Sequence, residues 1–208
     1  MNYHNLTYPD MNNGSGLRVV LWLSGCSHKC KGCQNPQTWD ANSGIPFDES
    51  AKEELFRELD KDYISGLTLT GGDPLFESNL DGVLDLVTEV NKRYNITQYI
   101  VDNTEEQYNI LNKNANKILL SAPQKSIWLY TGYEFNEIFG ENQFKDSGNG
   151  YFKWTKRADI VSRCNILVDG KYIDYQRDLT LPYRGSKNQR LINIQQSLQK
   201  GEIVLWKT

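Results

Sequence analysis

Leu17-Arg18-Val19-Val20-Leu21-Trp22-Leu23 is an apolar run of strand length broken by one arginine, and it opens through Ser24-Gly25 into Cys26-Ser27-His28-Lys29-Cys30-Lys31-Gly32-Cys33. The run reads as a strand that delivers a tight loop, with Gly25 and Gly32 allowing sharp backbone turns. Three of the four cysteines lie in those eight loop residues, and Cys164 stands alone far downstream. A disulfide framework needs paired cysteines in a small secreted chain, which this odd-numbered crowd in a long chain does not supply. A structural zinc site needs four ligands, so it would have to recruit His28 from the same loop or Cys164. An iron–sulfur cluster takes thiolates, and a C-x3-C-x2-C loop can wrap one small cluster. Three cysteines would then leave one iron of a four-iron cluster without a protein ligand, and an open metal position is the mark of a catalytic site.

Composition narrows the alternatives. The chain has 208 residues, 23 Lys+Arg against 26 Asp+Glu, a formal charge of −3, 38% hydrophobic and 24% charged residues. That is enough for one globular domain with a real core, and it argues against a broad basic face for nucleic acid. No stretch approaches the ~18 apolar residues of a membrane span, and the first residues lack the charged-then-apolar order of a signal peptide, so a cytoplasmic location without membrane contact is expected. The two histidines, His4 and His28, exclude a His-rich metal site. The sequence carries no Ser-His-Asp order and no H-E-x-x-H motif.

Along the chain, helical and strand signals alternate. Between Pro46 and Lys61, Asp48 or Ser50 can cap a helix with Ala51, Leu55 and Leu59 on one face. Gly66 to Thr70 reads as a strand ended by Gly71-Gly72, and Ser78 or Asn79 opens a helix carrying Leu80, Val83, Leu84, Val87 and Val90 on one side. Ile127–Thr131 and Asn165–Val168 are further short apolar runs. Strands alternating with helices predict an α/β fold with a mainly parallel sheet.

The cysteine loop matches the signature of radical S-adenosylmethionine (SAM) enzymes. The surrounding segments sharpen the match: Asn13-Gly14-Ser15-Gly16-Leu17-Arg18, Asn35-Pro36-Gln37-Thr38-Trp39, Leu69-Thr70-Gly71-Gly72-Asp73-Pro74-Leu75, Trp128-Leu129-Tyr130-Thr131-Gly132-Tyr133, Val168-Asp169-Gly170-Lys171 and Arg184-Gly185-Ser186-Lys187-Asn188-Gln189-Arg190. In this order they resemble the activators of anaerobic (class III) ribonucleoside-triphosphate reductase, from Met1 to about Arg190. The resemblance implies a partial (β/α) barrel formed by a single radical SAM domain over residues 1–208. The segments at about 95–125 and 140–157 look like peripheral insertions. Asn112 to Lys117, Asn/Lys-rich, fits a solvated surface.

The resemblance also implies the chemistry. Cys26, Cys30 and Cys33 would hold a [4Fe-4S] cluster whose fourth iron chelates SAM. One electron passed to the sulfonium would give methionine and a 5′-deoxyadenosyl radical, which removes a hydrogen from a backbone glycine of the reductase large subunit. An electron donor such as flavodoxin would supply the electron. Gly32, Cys33 and Gln34 would lie against SAM, and the Gly71-Gly72-Asp73 turn would meet its methionyl amine, with Asp73 able instead to cap its own loop. Gly32 stands where many radical SAM enzymes have an aromatic residue, which leaves the adenine contact to backbone and neighbours.

Other residues keep two readings each. Arg18, Asp169, Arg184 and Arg190 fit either the SAM carboxylate and the partner or structural ion pairs. His28, Lys29 and Lys31 form a basic edge for an anionic partner or are simply solvated. Cys164 reads as a buried small residue near a strand. Trp22, Trp39, Trp128, Trp154 and Trp206 are scattered as core or interface aromatics are. Two rival functions remain: an activase for pyruvate formate-lyase or another glycyl-radical enzyme, and a zinc-binding interaction module.

Overall fold

The computed structural model describes residues 1–94, 125–140 and 155–207. The two predicted insertions, the Asn/Lys-rich segment and Trp154 therefore lie almost wholly or wholly outside the described residues.

The apolar run becomes strand β2 (Leu17–Leu23) with the bounds its sequence suggests. It pairs in parallel with β4 (Ile64–Gly71), which pairs with β5 (Ser126–Tyr130), which pairs with β6 (Ile166–Asp169). Antiparallel strands flank this parallel centre: β1 (Asn2–Asp10) and the two-residue β3 (Ile45–Pro46) on one side, β7 (Arg190–Asn193) on the other. The order β3-β1-β2-β4-β5-β6-β7 is open at both ends, as a partial (β/α) barrel requires. The parallel strands all finish on one side of the sheet, so the loops that follow them gather there.

Alternate residues of each strand serve two cores. Val19, Leu21 and Leu23 of β2, Leu67 and Leu69 of β4, Ile127 and Leu129 of β5 and Leu167 of β6 belong to the main core, which also takes in residues of α1 (Glu49–Leu59), α2 (Leu80–Tyr94), α3 (Phe135–Phe139), α4 (Lys156–Ser162) and the first residue of α5 (Ile194–Lys200). Each such buried Leu or Val stabilises the fold by roughly 1.5–3 kcal/mol relative to exposure. The other face carries a smaller cluster of Trp128, Ile166, Val168 and Leu191, with Tyr130, Tyr183 and Trp206 against it. Tyr183 comes from the long return segment between β6 and β7, and its ring meets Trp128 edge-on at 5.3 Å.

Between the two possible caps of α1, the fold uses Asp48, whose side chain accepts from the Ala51 amide at 3.0 Å. The helix buries Ala51, Leu55 and Leu59 as the spacing predicts, and Phe56 with them. Ahead of α2, residues Glu77–Asn79 form a 3-10 turn, so neither Ser78 nor Asn79 is a simple cap. Asn79 is buried there and donates to Ser24 O at 2.7 Å and Asp73 O at 3.1 Å. Cys164 is not part of a strand: it follows α4, is fully buried, and its thiol points at Ile160 O.

Arg18, the charge inside the apolar run, is fully buried near the start of β2. Nε donates to Thr68 Oγ1, one terminal nitrogen to Ser15 O and Ser126 Oγ, and the other to Leu67 O and Ser126 O. All five guanidinium N–H groups are thus satisfied by neutral oxygens. Burial pulls its pKa down, only partly opposed by neighbours that include Asp10, and among the described residues no carboxylate lies within ion-pair distance of it. Arg18 ties β2, β4 and β5 together where they begin, the end of the sheet remote from the cysteine loop.

Candidate iron–sulfur and SAM site

The cysteine loop leaves β2 through Gly25 and is pinned on both flanks before the first thiol. Gly25 N donates to Thr38 O at 2.8 Å and Cys26 N to Trp39 O at 3.0 Å, so the Asn35–Trp39 turn is the loop's return stem. On the other flank, Gly72 N donates to Leu23 O and Asp73 N to Gly25 O, both at 2.7 Å. This approach explains the paired glycines: a side-chain carbon on Gly71 would lie 2.6 Å from Leu23 N, and one on Gly72 would lie 2.5 Å from Gly25 O. Their missing side chains let the end of β4 lie against the stem of the cysteine loop.

Cys26, Cys30 and Cys33 are all free thiols and half-buried. Burial pushes the Cys26 thiol up, opposed by the amides of His28 and Lys29, which point at its sulfur. Burial likewise raises Cys30, opposed by the Tyr172 amide. Asn35 N donates to Cys33 Sγ at 3.4 Å. Amides aimed at sulfur stabilise metal-bound thiolates and tune the iron they hold. Among the described residues, no three His, Cys, Asp or Glu side chains converge as ligands of a single ion do. A multi-iron cluster asks for a different arrangement, one thiolate at each of several separate irons.

The ends of β4 and β5 flank the loop. Asp73, 2% exposed, turns its carboxylate inward and accepts from Leu75 N at 2.8 Å, Thr131 Oγ1 at 2.9 Å, Gly132 N at 3.0 Å and His28 Nε2 at 2.8 Å. The loop-capping role is the one its hydrogen bonds serve. Tyr133 lies edge-on to His28 at 4.6 Å and beneath the Arg157 guanidinium at 4.8 Å, and Arg157 Nε also donates to Leu75 O. His28 is therefore packed inside the site, which excludes the solvated reading for it, whereas Lys29 and Lys31 are exposed.

The return segment after β6 closes a further side. The Asp174 carboxylate occupies the space a Gly32 side chain would take, and the exposed Gln34 and the Tyr172 ring both approach Gly185. Ser186 is fully buried and anchors this segment: its hydroxyl donates to Asn188 Oδ1 at 2.7 Å and accepts from Ile173 N at 3.2 Å. Gly32, Cys33, Gln34, Gly71, Gly72 and Asp73 thus come together around one cysteine loop.

Of the four residues with two readings, Arg18 is remote. Asp169 and Arg190 form a fork-like pair at 3.0 and 2.5 Å, and Asp169 also accepts from Phe135 N at 2.8 Å. That is a structural ion pair holding β6, β7 and the start of α3. Arg184 Nε is buried without a hydrogen-bond partner among the described residues. Sequence alone does not signal Thr131, Tyr133, Arg157, Tyr172 or Asp174 as individual site residues, because each acquires its role through contacts distant along the chain.

The model of a family described as a 4Fe-4S single cluster domain matches residues 12–122 and 102–192. The anaerobic ribonucleoside-triphosphate reductase-activating protein of Enterobacteria phage T4 is 35% identical over 195 residues, 92% of this chain and 93% of the relative. The proteins of the same name from Escherichia coli (strain K12) and Vibrio cholerae serotype O1 are 32% and 34% identical over 191 residues, each match covering 91% of this chain and 96% of the relative. The cysteine loop at the carboxyl ends of parallel strands and these full-length matches agree, and the chain belongs to the family of anaerobic ribonucleoside-triphosphate reductase-activating proteins.

Proposed function

We propose that the chain activates the large subunit of an anaerobic ribonucleoside-triphosphate reductase, by radical SAM chemistry that places a radical on a backbone glycine of that partner. The observation that carries this reading is the loop of three free, half-buried thiols with amides directed at their sulfurs, in a chain of the activating-protein family. Cys26, Cys30 and Cys33 would hold a [4Fe-4S] cluster, one iron being left for the amino and carboxylate groups of SAM. When bound, cluster and SAM would supply the hard chemistry, one-electron reductive cleavage of the sulfonium coupled to removal of a hydrogen atom from the glycine.

The protein's part is placement and exclusion of water. Gly71 and Gly72 present backbone toward the methionyl amine, and Asp73 acts by holding that turn in shape. Gly32, Cys33 and Gln34 line the side nearest the adenosyl group, between the cluster loop and the return segment. Arg184, with one buried N–H group unpaired, is the cation here for the SAM carboxylate or the partner. Lys29 and Lys31 leave a basic edge at the mouth, which suits an acidic electron donor such as flavodoxin. No nucleic acid or membrane enters this reading. None of the helices among the described residues is long and apolar enough to cross a membrane, and the cytoplasm is the compartment proposed.

Anaerobic reconstitution tests the reading. The protein should take up about four irons and four sulfides per chain, and dithionite plus SAM should yield 5′-deoxyadenosine. Tight zinc binding with no SAM cleavage would instead support the interaction-module alternative.

A further inference from the structure

Between Cys26 and Cys30 the loop carries Ser27, His28 and Lys29; the outer two are exposed, while the His28 side chain is only 8% exposed. Its Nε2 lies 2.8 Å from Asp73 Oδ2, and since a carboxylate only accepts, the hydrogen lies on His28. The same Asp73 oxygen accepts from Gly132 N, and Thr131 Oγ1 reaches both carboxylate oxygens at 2.9 Å. One buried carboxylate therefore joins the cysteine loop to the ends of β4 and β5. The space around the imidazole is equally specific. A side-chain carbon on Gly132 would lie 2.3 Å from His28 Cδ2, and the Tyr133 ring closes the adjoining side.

We propose that His28 is a positioning residue, which fixes the cysteine loop in register with the Gly71-Gly72-Asp73 turn so that cluster and turn grip one SAM molecule together. The inference rests on the functional reading above and extends it. The two grips come from separate segments, and the His28–Asp73 bond is the side-chain bond that spans them from within the loop. Without it the three thiols can still gather around a cluster, because the Gly25 and Cys26 amides remain tied to Thr38 and Trp39. The loss falls on the alignment of the open iron with the amine-binding turn, and so on SAM.

The test compares wild type, His28→Ala, His28→Gln and Gly132→Ala after anaerobic reconstitution. Three quantities are read: iron and sulfide content, the dissociation constant for SAM, and the change SAM makes in the electron paramagnetic resonance spectrum of the reduced cluster. His28→Ala should keep wild-type iron, bind SAM at least about tenfold more weakly, as expected for one lost hydrogen bond to a buried charge, and lose the SAM-induced spectral change. His28→Gln, which keeps a donor, should recover part of both. Gly132→Ala should reproduce the defect with His28 and Asp73 both present, by displacing the ring. Wild-type SAM affinity in His28→Ala with iron retained overturns the proposal. So does loss of iron in step with SAM in both His28→Ala and Gly132→Ala, because His28 would then hold the loop itself and not its register. Should His28→Ala alone lose iron, Gly132→Ala decides on the same readings. If iron-loaded wild type binds no SAM, the functional reading falls and takes this inference with it.

Discussion

Replacing Arg18 by methionine separates a structural from a ligand-binding arginine. The side chain is fully buried and directs five N–H groups to Thr68, Ser15, Ser126 and Leu67. Methionine fills a similar volume and offers none of them. At about 1 kcal/mol net for each hydrogen bond, the loss is roughly 5 kcal/mol. Relief from burying a charge without an acidic partner offsets part of it, leaving about 3 kcal/mol. For a chain of this size each kcal/mol moves the melting temperature by roughly 2–4 °C, so Arg18→Met should melt roughly 6–12 °C lower. The cysteine loop begins after Leu23, and the five residue steps from Arg18 to Leu23 span roughly 17 Å of strand. Below its melting temperature the variant should therefore take up iron and bind SAM as wild type does. Circular dichroism melts of the apo protein and SAM titration of the reconstituted protein read the two quantities separately. An unchanged melt with lost SAM binding would refute the reasoning and return Arg18 to the site.

Three other outcomes follow. Burial pushes the Cys164 thiol far above its ordinary value, so alkylation of the native apo protein should modify Cys26, Cys30 and Cys33, and Cys164 only after denaturation; mass spectrometry of the peptides decides it. Cys164→Ala should accordingly retain full iron content, whereas Cys30→Ala should not. Arg190→Ala leaves the Asp169 carboxylate, 1% exposed, with the Phe135 amide as its remaining hydrogen-bond donor among the described residues; since Arg190 itself is one-third exposed, the cost should be about 2 kcal/mol, below that of a fully buried pair. Urea unfolding measures it, and the double variant Asp169→Asn, Arg190→Met should recover part of the loss.

The parts of the fold legible in sequence are those whose burial is continuous or periodic. Leu17–Leu23 reads as a strand because nearly every residue is apolar and Ser24-Gly25 ends it; α1 reads from its four-residue apolar steps. β1 escapes because Asn2–Asp10 is a flanking strand of mostly half-buried, largely polar residues with no clean alternation. β7 and α5 escape because four and seven residues are too few to show a period.

The proposed cysteine ligands are legible because their spacing is chemical and local. His28 is not, since its inward turn depends on Asp73, 45 residues away, and a histidine beside two lysines looks like part of a charged edge. Arg18 has the same difficulty in reverse: a charge in a strand signals something needed, and only the pairing of β2, β4 and β5 shows that the need is hydrogen bonding at the far end of the sheet. The paired glycines are legible as a tight turn, but their reason lies in the backbone of Leu23 and Gly25.

The most direct measurement adds the reductase large subunit to reconstituted protein, SAM and an electron source, and looks for a glycyl radical by electron paramagnetic resonance. The account predicts a radical signal on the reductase with wild type and none with Cys30→Ala. A wild-type protein that cleaves SAM but leaves the reductase without a radical, or a Cys30→Ala protein that produces one, would contradict it.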